Sequence, residues 1–170
     1  IRDSNFARFI PDDTEVLVHL AAVSREADCK GRMDDWYQTN VRASENVLRA
    51  ASARGVSQLV FASSEWVYDY FGMEERTEQD SIDPMGVSSE YGLSKLLAES
   101  ALLHAAAETG IDLTILRFGI VYGPRPNNWS AVEALLNAVR TQESVNVGSL
   151  ETARRFIHVQ DIADAIHASF

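Results

Sequence analysis

Two junctions in this chain are built the same way. Arg54-Gly55-Val56-Ser57-Gln58-Leu59 and Thr109-Gly110-Ile111-Asp112-Leu113 each run from an amphipathic stretch through a glycine and a short turn into an apolar run. A glycine just past a helix end supplies the left-handed residue that closes it, so each junction reads as helix, cap, turn, strand. The strands so placed are Leu59 to Ala62 and Leu113 to Phe118, and Val16 to Val23 is a third. None alternates strictly between apolar and polar residues, which is the pattern of strands covered on both faces of a parallel sheet. The helices are Trp36 to Arg54, with Val41, Val47, Leu48 and Ala51 on one side, and Tyr91 to Thr109, with Leu93, Leu96, Leu97, Ala101, Leu102 and Ala105. Strand and helix in this alternation predict right-handed crossovers and a doubly wound parallel α/β sheet.

From Tyr122 the texture changes. Gly123 to Asn128 reads as a loop, Ala131 to Arg140 as a helix, Ser144 to Val147 as a short strand, and Arg154 to Val159 as a second extended piece, with Asp161 capping a last helix. This predicts a main domain over 1–122 and, over 123–170, part of a smaller substrate-binding lobe and the return to that domain. Ile1-Arg2-Asp3 opens abruptly and Asp161 to Phe170 reads as a helix just begun, as if both ends were interior to something larger. The acidic stretch Glu74, Glu75, Glu78, Asp80 and Asp83 reads as a solvated loop.

Composition narrows the function classes. Of 170 residues, 46% are hydrophobic and 24% charged, enough apolar material for a core, and the net charge is −10. An acidic chain with no Lys/Arg cluster argues against nucleic acid and anionic membrane surfaces. Cys29 is the single cysteine, so no intramolecular disulfide forms and a cytoplasmic setting is expected. No apolar run reaches the length of a membrane span. His19, His104, His158 and His167 show no ligand spacing with acids or with Cys29, so no metal site is expected.

The chemistry concentrates in Ser88-Ser89-Glu90-Tyr91-Gly92-Leu93-Ser94-Lys95 and in Ser63-Ser64. Tyr91 and Lys95, four apart on a helix, share one face one turn apart. There an ammonium favours phenolate over phenol and draws a tyrosine toward working pH as an acid or base. A serine hydroxyl beside it holds a substrate hydroxyl or carbonyl. These groups suit hydride chemistry at a carbinol carbon, with the hydride carried by a nicotinamide because no side chain carries one.

Six motifs then stand in order: Val18-His19-Leu20-Ala21-Ala22; Asn40-Val41 to Asn46-Val47-Leu48; Phe61 to Tyr68; Tyr91-Gly92-Leu93-Ser94-Lys95; Leu116-Arg117 to Tyr122-Gly123-Pro124; and Arg154 to Asp161. In this the chain resembles extended short-chain dehydrogenases/reductases, and within them the NAD-dependent epimerase/dehydratase group acting on nucleotide sugars. The resemblance implies a Rossmann-like fold with NAD as cofactor, NADP being possible. It implies that Tyr91 is the catalytic acid/base, that Lys95 lowers its pKa and holds the nicotinamide ribose, and that Ser64 bonds the reacting hydroxyl. Ala21 and Ala22 would pass close to the cofactor, with Ser63 and Asn40 also on the cofactor side. Glu65, Trp66 and Arg154 would face substrate, Arg154 on a diphosphate. It further implies a homodimer through helices 36–54 and 91–109.

Departures from the group narrow the activity. The glycine-rich turn that seats a pyrophosphate on a helix N-terminus should lie ahead of Ile1. Glu65-Trp66 replaces the Asp-Glu pair of the dehydratases, and Trp66 transfers no proton, so dehydration is disfavoured. Ile120 stands where many epimerases have a substrate-touching asparagine. Nucleotide-sugar epimerisation is the expected activity. Net oxidation or reduction of a sugar, sugar acid or small carbonyl compound is the alternative, and a non-catalytic binding module a further one.

Overall fold

The computed structural model of the chain describes residues 1–3, 5–68, 75–127, 130–141, 144 and 154–170. Glu74, Trp129 and most of the strand expected at 144–147 lie outside the described residues. A single turn at Phe6–Phe9 leads through buried Ile10 to strand β1, Val16–His19. Short helices α1 (Glu26–Cys29) and α2 (Met33–Trp36) follow. A wider π-type turn, Tyr37–Arg42, then feeds α3, Ala43–Ala53. Strand β2 is Gln58–Ser64, α4 is Glu90–Thr109 and β3 is Asp112–Phe118. Beyond them come β4 (Ile120–Tyr122), α5 (Ala131–Thr141), β5 (Phe156–His158) and α6 (Val159–His167).

The sheet is parallel in the order β1-β2-β3, Val16 to His19 facing Gln58 to Phe61 and Gln58 to Ser64 facing Asp112 to Phe118. Both crossovers progress the same way across the sheet, so right-handed connections put α3 and α4 on one face, where they pack together. Their apolar stripes close on the strands around Val47, Leu48, Leu59, Phe61, Ala98 and Leu102. Strand β2, central and buried along nearly its whole length, carries the continuous apolar run that a doubly covered strand requires. A second pair, β4 with β5, is also parallel and starts one residue beyond β3.

The two junctions take the expected form: Gly110 caps α4 at φ 75° and Gly55 sits just past α3 at φ 76°. Other boundaries differ. The first strand ends at His19 rather than Val23, because the Asn40 side chain occupies both backbone groups of Val23, taking its N–H at 2.8 Å and donating to its C=O at 2.9 Å. Asp161 does not cap the last helix. His158 does so, its Nδ1 accepting from the Gln160 N–H at 3.2 Å, and Asp161 lies in the first turn, where a negative charge suits the helix dipole.

Gly92 marks where α4 presses on the chain after β2. A Cβ there would stand 2.5 Å from the Trp66 carbonyl oxygen and 3.1 Å from its carbon. Substituting Gly92→Ala gains about 1 kcal/mol of helix propensity but drives a methyl into backbone, an overpacking cost of about 1–3 kcal/mol or more. The collision wins, and urea unfolding is expected to show G92A less stable than the parent by about 1–2 kcal/mol.

Candidate active site

The ends of β1 and β2 open onto a cleft of about 880 Å³ whose lining includes Ala22, Ser64, Trp66, Tyr91, Lys95 and Ile120. The parallel sheet puts it there, since both strands point their carboxyl ends the same way and α4 crosses behind them with its first turns at the rim. Among the residues expected from sequence, Ser63, Ser64, Ala22, Trp66, Tyr91 and Lys95 meet at this cleft. Ala21 is exposed just beyond β1, and Asn40 lies behind the cleft as a buried strut, donating also to Ser94 Oγ at 2.8 Å. Ser63 lines the cleft, yet its hydroxyl donates to Glu99 in a short hydrogen bond.

Ser64 and Tyr91 line the cleft together, and the Trp66 ring stands edge-on to Tyr91, centroids 6.4 Å apart. Burial pushes the Tyr91 phenol up, and the Ser64 hydroxyl opposes that rise. The spacing alone predicts a phenol drawn down by Lys95; in the folded chain burial is the largest influence on the phenol and raises it. The Lys95 ammonium is itself only 3% exposed. Burial lowers its pKa from the ordinary 10.5 to about 8, with Glu99 pulling the other way. It donates to the Ala62 carbonyl at 2.7 Å and sits 4.7 Å over the Phe61 ring. His19, tilted against the same ring and 2.8 Å from Ser44 Oγ, is held neutral, its pKa lowered to about 4 by burial and then by Lys95.

Sequence reasoning missed the group that seats the head of α4. Glu26, from α1, accepts from Ser89 Oγ at 2.7 Å, the Tyr91 N–H at 3.0 Å and the Glu90 N–H at 3.3 Å. A carboxylate on the orphan amides of a helix N-terminus is favoured by hydrogen bonding and by the helix dipole. Glu90 returns the contact, accepting from Gly31 N at 2.8 Å and Trp36 Nε1 at 2.9 Å. Residues so far apart in sequence carry no mutual signal.

Glu65 faces a neighbouring cleft of about 450 Å³ together with Tyr68, Arg117, Arg155 and His158. Its carboxyl is raised by burial and drawn back by Arg155, whose guanidinium lies 3.6 Å away. Arg155 therefore lines this second cleft, and Arg154, exposed as Arg155 is, adds to the field on Glu65. Among the described residues no group of three or more His, Cys, Asp or Glu side chains is placed to hold a metal, and no helix is long and apolar enough to cross a membrane.

The chain belongs to the NAD dependent epimerase/dehydratase family, whose model matches residues 1–170. It is 30% identical over 160 residues to the Bacillus subtilis (strain 168) protein YtcB, named an uncharacterized UDP-glucose epimerase, a match spanning 92% of this chain and 49% of that one. It is 33% identical over 166 residues to methionine adenosyltransferase 2 subunit beta of Pongo abelii, across 95% of this chain and 46% of the relative. Its structure superimposes on that of MoeE5 in complex with UDP-glucose and NAD, with a TM-score of 0.75 and 30% identity over 90% of this chain and 51% of that one. The chain thus spans about half the length of the relatives it matches.

The buried ammonium gives the site a signature in stability. Lys95 titrates lower folded than unfolded, so between about pH 8 and 10.5 the unfolded chain binds more protons and the Lys95 contribution to stability rises with pH. The Cys29 thiol, pushed up to about 11 by burial, opposes this above pH 9. Comparison with K95M isolates the lysine: wild-type stability should gain on that of K95M across this window, by a total approaching about 3 kcal/mol. Urea unfolding of both proteins at stepped pH measures it.

Proposed function

We propose that the protein containing this chain is an NAD-dependent epimerase of a nucleotide sugar, acting through Tyr91, Ser64 and Lys95. The observation that carries this reading is the meeting, at one cleft, of a phenol, a serine hydroxyl and a buried lysine ammonium with donors to spare. An ammonium has three donors, and one goes to the Ala62 carbonyl. The others suit a ribose hydroxyl entering beside the small side chains of Ala22 and Ala62, which leave room for a flat ring. The residues present therefore fit the nicotinamide riboside half of the dinucleotide. When bound, that group supplies the hydride acceptor and donor that side chains lack.

The protein's own residues handle the proton. Ser64 fixes the substrate hydroxyl against Tyr91 Oη, and Tyr91, as phenolate, accepts that proton while the C–H bond gives up its hydride. Burial raises the phenol and the Ser64 hydroxyl opposes that rise; Lys95, one turn on along the same face of α4, is the cation this reading assigns to favour the phenolate. For inversion the keto intermediate turns over in the cleft, and Tyr91 returns the proton as hydride returns to the other face. Trp66, edge-on to Tyr91, offers no proton, and Glu65 faces Arg155 in the neighbouring cleft, so the Glu65-Trp66 pair places no acid beside Tyr91 for dehydration. Arg154 and Arg155 are the cations for a substrate diphosphate, a job suited to a planar fork of donors. We include in the proposal a homodimer through helices 36–54 and 91–109, supported by the exposure of Tyr37 and Leu103 on those elements.

Ile120 favours a second reading. Its apolar side chain lines the cleft, and a dehydrogenase or reductase uses the same three residues without needing a polar clamp there. Incubation of the full-length protein with NAD and UDP-glucose, followed by 1H NMR and by absorbance at 340 nm, separates the two. Epimer without net NADH supports the proposal, and accumulating NADH supports the second reading. Neither, from folded protein across a panel of nucleotide sugars, overturns both. In the productive case Y91F should lose about 10²–10⁴-fold in kcat.

A further inference from the structure

Tyr91, Lys95 and Glu99 follow at one-turn intervals along α4, and the last is a carboxylate only 3% exposed on the buried side of the helix. Glu99 Oε1 accepts from Ser63 Oγ and from Arg117 Nε at 3.0 Å, and Oε2 from Arg117 Nη2 at 2.7 Å. Arg117, on β3, also donates Nη1 to Tyr68 Oη at 2.7 Å and lies over that ring. One carboxylate therefore joins the helix that carries Tyr91 and Lys95, the strand end that carries Ser64, and the next strand and turn.

We propose that Glu99 is a positioning residue of the site: its carboxylate ties α4 to the end of β2, fixing Tyr91 against Ser64, and supplies the negative charge against which Lys95 stays protonated. This rests on the reading of Tyr91 and Lys95 given above. The titratable and charged groups around this pair are His19 from β1, Cys29 from α1, Tyr91 on α4 itself, Arg117 from β3, Tyr68 beyond it, and Glu78 at the edge of the adjoining cleft. Of the two charged groups that bear directly on Lys95, Glu99 raises its pKa by attraction, as the deprotonated Cys29 thiolate would only above about pH 11. At working pH Glu99 is thus the anion that matters. Its two oxygens take Nε and Nη2 of Arg117 in a pair whose removal by halves leaves a buried charge uncompensated. Glu99 touches no reacting atom and acts through Lys95 and the strand.

The test uses the second notable sparsity of the sequence: Lys30, exposed, and Lys95 are the two lysines of residues 1–170. Full-length protein labelled with 13C at lysine Cε is titrated by NMR, and the Lys95 signal is identified by its loss in K95R. E99Q should titrate Lys95 about one pH unit lower than wild type, taking its protonated fraction at pH 8 from about half to about one tenth. E99D, which keeps the charge, should restore most of that loss, and S63A, which removes a hydroxyl and no charge, should leave the titration in place. Because E99Q strands Arg117, the variant E99Q/R117M removes both ions at once, a change buried pairs tolerate, and Lys95 should still titrate below its wild-type pH. Lys95 titrating at or above the wild-type pH in folded E99Q or E99Q/R117M overturns the proposal, as does E99D falling as far as E99Q. The titration needs neither substrate nor turnover, so its result stands apart from that of the epimerase assay.

Discussion

A lysine ammonium held away from water is the constraint on which the site depends. Lys95 sits on the Phe61 ring with the Ala62 carbonyl as its acceptor, on the buried face of a helix whose other inward positions include Ala98, Glu99, Leu102 and Ala105. Burying a charge costs several kcal/mol unless fixed dipoles and counter-charges replace its water. The surroundings answer that demand in specific ways: a carbonyl at hydrogen-bond distance, an aromatic face, a carboxylate one turn on, and a histidine kept neutral so that it adds no second cation. Without a functional reason, an apolar residue at position 95 would make a simpler core.

The same economy governs how α4 is set in place. Its head is held by Glu26 and holds α1 and α2 in turn through Glu90; its middle is tied to β2 and β3 by Glu99; its tail is closed by Gly110. Three carboxylates thus locate one helix relative to the strand end that bears Ser64. Each lies in the sequence near polar residues of ordinary appearance, and each acquires its meaning only when the parallel sheet brings distant segments together. Tyr91 is the point where these ties converge, with its backbone N–H on Glu26 and a place beside Ser64 in the cleft lining.

The strands, the two long helices and the glycine caps were legible because local chemistry and tertiary need agree there: apolar runs, 3.6-residue periodicity, and glycine where φ is positive. The placing of Tyr91 and Lys95 on one face was legible because helix spacing is a geometric statement, whereas the role of Ser64, on β2, came from the family resemblance. Where the chain departs, a side chain has replaced a backbone partner. Asn40 ends β1 early by taking both backbone groups of Val23, from within a π-type turn that periodicity does not reveal. His158 displaces Asp161 as the cap of α6 because its ring nitrogen already faces the first free amide. Arg155 rather than Arg154 reaches Glu65, a choice that alternation along an extended segment leaves open until the partner's position is known. Glu99 did leave a trace, as a charge set in the apolar stripe of α4 one turn beyond Lys95.

In the proposed mechanism hydride leaves and returns within one site while Tyr91 moves only the hydroxyl proton. The most direct measurement follows UDP-glucose, or the nucleotide sugar found to turn over, carrying deuterium at the ring carbon that inverts. Hydride chemistry predicts that the epimer retains the deuterium and that turnover slows on deuteration. Loss of the label to solvent would place a proton abstraction at carbon in the mechanism and contradict the role assigned to the cleft.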